Sequence, residues 1–239
     1  MSLSDTPSVS VDFAGLKQQY AALKPKIDTA MAHVLDHGQF IMGPEVGELE
    51  KALAEFCGVR HCIAVSSGTD ALLAALMALD VGPGSAVFLP AFTFTATAEV
   101  IVLLGARPVF VDVDERTFNI DPANLEKQID QIRSEDAFQP AVVMAVDLFG
   151  QPADYGQLRK ICNAEGMALI GDAAQSLGGS FCGQAVGGLA DLTATSFFPA
   201  KPLGCYGDGG AIFTDDTDLA EILKSIRAHG KGRDKYDIV

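Results

Sequence analysis

Three short runs in this 239-residue chain bring together residue types that could do chemistry jointly. The first is Ser66-Ser67-Gly68-Thr69-Asp70, small hydroxyl residues and a glycine where an apolar run gives way to a helix-period segment. The first amides of a helix have no intrahelical acceptor, so such a turn can cradle a phosphate; it equally suits an ordinary N-cap. The second is Asp172, in Gly171-Asp172-Ala173-Ala174-Gln175, directly after an apolar run at 167–170. At the carboxyl end of a parallel strand a carboxylate faces the crevice where such folds bind ligands, although an Asp there can also cap a helix. The third is Lys201, fenced by Phe197, Phe198, Pro199, Pro202 and Gly204, with no acidic residue within five positions. Most lysines are solvated, but an apolar surround lowers the pKa of the amine and frees it to attack carbonyls. A phosphate cradle, an acid able to pair with a ring nitrogen and an activated amine are together what pyridoxal phosphate requires. Rival nucleotide signatures are missing: no Gly-x-Gly-x-x-Gly follows the first apolar run, and no Gly-x-x-x-x-Gly-Lys-Ser/Thr occurs.

Residues so far apart need a scaffold to converge. Short apolar runs alternate with helix-period segments, which predicts an α/β fold with a mostly parallel sheet flanked by helices on both faces. Helices are expected at 14–37, 45–57, 69–79, 95–104, 122–133, 153–164 and 216–228. Strands are expected at 61–65, 86–89, 108–111, 141–146, 167–170, 192–197 and 211–214. The glycine-dense stretch 171–210 marks backbone that turns tightly or approaches something closely, so the site is expected there. Residues 1–13 read as an N-terminal segment and 14–239 as one large domain. The ending Tyr236-Asp237-Ile238-Val239 has neither cap nor tail composition and reads as an interruption.

Composition removes whole classes of function. Seventeen basic against thirty-one acidic residues give a net charge of −14, and no block of five like charges occurs, so a nucleic-acid reader is not expected. The longest apolar run, residues 71–79, is far too short to span a bilayer. The first thirty residues hold no apolar core followed by a cleavage site, and Met1-Ser2-Leu3 suits a cloning leader. Cysteines 57, 62, 162, 182 and 205 are odd in number and form no Cys-x-x-Cys, which fits reduced thiols in the cytoplasm. His33 and His37 lie one helical turn apart with no third ligand in view, so no metal is expected. His229 before Gly230 suits a helix C-terminus, with the glycine as left-handed cap. Phe92, Phe197 and Phe198 read as core or wall.

Five motifs carry a further likeness: Phe40-Ile41-Met42-Gly43-Pro44, Ser67-Gly68-Thr69-Asp70-Ala71-Leu72, Pro90-Ala91-Phe92-Thr93-Phe94, Asp172-Ala173-Ala174-Gln175 and Ser196-Phe197-Phe198-Pro199-x-Lys201. In order and spacing the chain resembles the DegT/DnrJ/EryC1/StrS sugar aminotransferases, pyridoxal-phosphate enzymes of fold type I. The resemblance implies that Lys201 forms the covalent link to the cofactor, Asp172 pairs with its ring nitrogen and Gln175 contacts its ring oxygen. It implies that Phe94 stacks on the ring face, while Gly68, Thr69, Asp70 and Ser196 hold the phosphate, the first three largely through backbone. Lys201 itself argues against the family's dehydrating branch, which has His there. Asp147, in Asp147-Leu148-Phe149-Gly150, stands where many members have His, a departure expected to leave the cofactor site untouched. Members continue beyond the matched part into a segment reaching the neighbouring subunit's site and a small domain closing over substrate. The likeness therefore implies the large domain alone, with a homodimer when full length. The implied function is amination of a keto nucleotide-sugar, with glutamate as donor and a 3-oxo uronic-acid sugar of polysaccharide biosynthesis as the nearest likeness. The alternative is a catalytically incompetent large domain with an assembly or regulatory role.

Overall fold

The computed structural model describes residues 14–232; the segment 1–13 and the ending at 236–239 lie outside the described residues. The chain divides into two units, residues 1–44 and 45–239. The first carries α1 (Leu16–His37), which closes on Gly38 in the left-handed conformation, its N–H donating to the Val34 carbonyl. Pro25 inside α1 contributes no amide, and the Thr29 hydroxyl donates to the Pro25 carbonyl at 2.8 Å. The His33 and His37 rings meet edge-on at 5.1 Å.

After α2 (Pro44–Cys57), the second unit alternates strand and helix. β1 (His61–Val65), α3 (Gly68–Ala78), β2 (Ser85–Pro90), α4 (Ala96–Leu103) and β3 (Arg107–Val111) come first. Then follow α5 (Pro122–Glu135), β4 (Gln139–Val146), α6 (Tyr155–Glu165) and β5 (Ala168–Asp172). A two-residue hairpin of β6 (Ser180–Phe181) and β7 (Gln184–Ala185) precedes β8 (Leu192–Ser196), β9 (Gly210–Thr214) and α7 (Thr217–Arg227). Seven strands make one sheet in the order β1-β9-β8-β5-β4-β2-β3. All pairings in that sheet are parallel except those of β9, which runs antiparallel to both β1 and β8.

Both faces of the sheet are covered, so its central strands are apolar throughout instead of alternating with polar residues. Along β4, Val142 and Met144 face one core with Leu76, Ile101 and Leu223, while Val143 and Ala145 face another with Leu125, Ile129 and Leu158. A third cluster joins Leu53, Cys57 and Cys62 to Phe197 and Phe213. Burial pushes the Cys57 thiol up to about 11 and the Cys162 thiol up to about 12, so neither is a nucleophile at neutral pH. Asp121, Asp154 and Asp216 cap α5, α6 and α7 through side-chain oxygens that accept first-turn amides.

The expected elements are present, with informative differences. β5 runs two residues past the apolar stretch at 167–170, because Gly171 and Asp172 stay paired to Ala145 and Val146 on one side and Thr193 and Ala194 on the other. Asp172 therefore ends the strand and does not follow it. The β6–β7 hairpin was unforeseen, being too short for periodicity; Cys182 and Gly183 turn it with φ of 51° and 85°. After α7, His229 takes a left-handed φ of 63° itself, as does Gly230 at 78°.

Candidate active site

The carboxyl ends of β2, β4, β5 and β8 and the start of α3 surround a cavity of about 810 Å³. Side chains at the carboxyl ends of parallel strands converge on such a crevice because the connections above them diverge. Gly68, Thr69, Phe94, Asp172, Gln175, Ser196 and Lys201 all line it. Asp70 does not. Its amide donates to Ser67 Oγ at 3.0 Å, and its carboxylate accepts the Ser66 and Ser67 hydroxyls at 2.5 and 2.9 Å. Asp70 thus shapes the turn, and its amide is already used by the cap.

That cap leaves the Gly68 and Thr69 amides at the positive end of α3 without an intrahelical acceptor. Gly68 is a glycine for steric reasons: a Cβ there would lie 2.6 Å from Ser196 Cβ. A Cβ on Gly210 would likewise lie 2.5 Å from the Ser67 carbonyl oxygen, so α3 begins hard against the ends of β8 and β9. Ser196 Oγ accepts the Phe198 amide at 3.2 Å, which leaves its own proton for a ligand. Two free amides and a hydroxyl at a helix start make an anion cradle.

Asp172 is 8% exposed; its carboxylate accepts the Ala174 amide at 3.1 Å and the buried Thr97 hydroxyl at 3.4 Å. Burial raises its pKa, opposed by the Ala174 amide, the Lys201 charge and Thr97. Lys201 sits on a closed loop whose ends are tied by Phe197 N–H to the Gly209 carbonyl and Cys205 N–H to the Phe197 carbonyl, both 2.8 Å. Its own amide donates to the Phe198 carbonyl at 2.8 Å, and the side chain is half-buried, not enclosed. Phe94 is 72% exposed, as an open ring-stacking face would be. Phe92 and Phe198 form the cavity wall, whereas Phe197 belongs to the core.

Sequence reasoning missed Thr97 and gave Asp147 no part in the site. Thr97 joins Thr93 at 2.8 Å across one turn and reaches Asp172, a contact that only the packing of α4 against the sheet creates. Asp147, whose departure from the family's His was expected to leave the cofactor site untouched, lines the same cavity, because β4 and β5 are neighbours and end level with one another.

Comparison with known proteins identifies the family. A model of the DegT/DnrJ/EryC1/StrS aminotransferase family matches residues 22–238. The UDP-2-acetamido-2-deoxy-3-oxo-D-glucuronate aminotransferase of Pseudomonas aeruginosa is 48% identical over 228 residues, 95% of this chain and 62% of that protein. A DegT DnrJ EryC1 StrS aminotransferase from Brucella abortus superposes with a TM-score of 0.94 at 48% identity, over 96% of this chain and 62% of the other. DesV of S. venezuelae, solved in complex with a ketimine intermediate, superposes at 0.88 with 38% identity, over 95% of this chain and 59% of that one. The chain thus spans about three fifths of the length of these relatives.

Proposed function

The chain belongs to the DegT/DnrJ/EryC1/StrS aminotransferase family, and from that premise we propose that it is the cofactor-binding part of a pyridoxal-phosphate sugar aminotransferase. The substrate is a keto nucleotide-sugar, a 3-oxo uronic acid by likeness to the Pseudomonas enzyme, and the amino donor is glutamate, as the family resemblance implies. The protein works in the cytoplasm as a homodimer. No described helix is long and apolar enough to cross a membrane.

One observation carries the reading: the cradle at the start of α3, the buried Asp172 and the Lys201 amine all line one cavity. The residues fit the group. Gly68, with no room for a Cβ, lets the helix start approach Ser196, and the donors there suit a phosphate. Bound pyridoxal phosphate would supply an electron-withdrawing ring that stabilises negative charge on a substrate carbon. Gly68, Thr69 and Ser196 hold the phosphate, and Asp70 keeps their turn in shape. Asp172 holds a proton on the ring nitrogen, and its buried setting strengthens that pairing. Gln175 orients the ring oxygen, and Phe94 covers the ring face. Lys201 Nζ would hold the cofactor covalently, and as a free amine it would take a proton from the substrate carbon and return one as general base and acid.

Borohydride reduction of the chain with pyridoxal phosphate should fix the label on Lys201, and Lys201→Ala should lose both label and transamination by several orders of magnitude. A Lys201→Ala protein that still yields reducible adduct would sink the assignment. Assay of keto nucleotide-sugars with glutamate then identifies the substrate.

A further inference from the structure

Asp147, just past the end of β4, has no part in the reading above, yet its carboxyl group gathers three hydrogen bonds: from the loop after β4, from the start of α6 and from the turn after β5. Oδ1 accepts the Ala153 amide at 2.9 Å and the Tyr155 hydroxyl at 3.2 Å, and Oδ2 accepts the Ser176 hydroxyl at 2.7 Å. Its backbone N–H donates to the Asp172 carbonyl at 3.1 Å, and its carbonyl accepts the Gly150 amide at 2.9 Å. Two glycines give this lacing its room. A Cβ on Gly171 would lie 2.8 Å from the Tyr155 hydroxyl, and one on Gly150 would lie 3.1 Å from the Gln175 carbonyl. Residues 147–155 and the turn 173–176 are thus tied through one fully buried carboxyl.

Resting on the reading that this cavity takes pyridoxal phosphate, we propose that Asp147 is the positioning residue for Asp172 and Gln175: it ties the end of β5 and the turn that follows it to the loop after β4. The titratable groups facing Asp147 are Asp172 from β5 and Tyr155 from α6, while Lys201 acts on Asp172. Burial pushes Asp147 up to about 6, against the pull of its three donors, and the Asp172 charge adds to the rise. Asp172 is thus already charged when Asp147 titrates, so a second negative charge forms beside the cofactor cavity only as pH rises through about 6.

The test compares wild type, Asp147→Asn and Ser176→Ala by ¹³C titration of the aspartate carboxyls in the ligand-free chain and by the pH dependence of absorbance with pyridoxal phosphate bound. Asn fills the same space and still accepts from Ala153 and Tyr155. Asp147→Asn should remove the step near pH 6. Ser176→Ala should move the Asp147 step upward, because a donor favouring its carboxylate is gone. An absorbance change of the bound cofactor near pH 6 should vanish in Asp147→Asn and move to higher pH in Ser176→Ala. A merely structural acid leaves the absorbance profile unmoved in both variants, and that result overturns the proposal. Should Asp147→Asn fail to fold, Ser176→Ala decides on the same readouts. If the wild-type chain shows no absorbance from bound pyridoxal phosphate, the proposed cofactor fails, and the ligand-free carboxyl titration still decides the Asp147 step.

Discussion

Two acids end adjacent strands in this cavity, and each is held in an environment that resists its charge. For Asp147 the consequence extends to stability. Its folded pKa is raised from 3.8 to about 6, so between those values the folded chain keeps a proton that the unfolded chain has lost. The stability this contributes is fully present below about pH 4 and is lost as pH rises through about 6. At about 1.4 kcal/mol for each tenfold change in proton affinity, the swing is on the order of 3 kcal/mol. Asp172, raised in the same direction, adds to it. Urea midpoints taken from pH 4.5 to 7.5 should therefore show Asp147→Asn gaining on wild type as pH rises; parallel curves would refute the raised pKa. Lys201, Asp172 and the Ser66–Asp70 run were legible in sequence because polar groups among glycines, prolines and apolar runs are conspicuous. The parts of Asp147 and Thr97 were not, because each depends on which strands lie side by side, and periodicity does not encode that order.

At the scale of elements, the join between α3 and the sheet limits the site. Alanine is the better helix former, so Gly68→Ala should help α3 if propensity ruled. The added Cβ instead meets Ser196 at 2.6 Å, and overpacking of this kind typically costs about 1–3 kcal/mol. Gly68→Ala should lower the unfolding midpoint and weaken retention of pyridoxal phosphate, read by denaturation and equilibrium dialysis. An unchanged midpoint with unchanged retention would show that α3 can back away from β8 at no cost. Helices and central strands were readable because apolar period and cap residues coincide, as at Asp121-Pro122 before α5. What escaped was set by pairing: the last two residues of β5, the β6–β7 hairpin and the reversed direction of β9.

For the molecule as a whole, that reversed strand governs the order of assembly. β1 is made before the other described strands, yet its only sheet neighbour among the described residues is β9, with His61 opposite Thr214 and Val65 opposite Gly210. Roughly 150 residues must emerge before the two can meet, and pairing over such a separation is slow because loop closure precedes any gain from contact. Central strands β2, β4 and β5 find their neighbours much sooner. Pulsed hydrogen exchange during refolding should thus protect amides of β4 and β5 first and those of β1 and β9 last, together; early protection of β1 would contradict this order. During synthesis on the ribosome, β1 therefore waits as an unpaired edge, carrying Cys62 and Ile63 exposed until β9 arrives, and that interval is when the nascent chain most needs a chaperone.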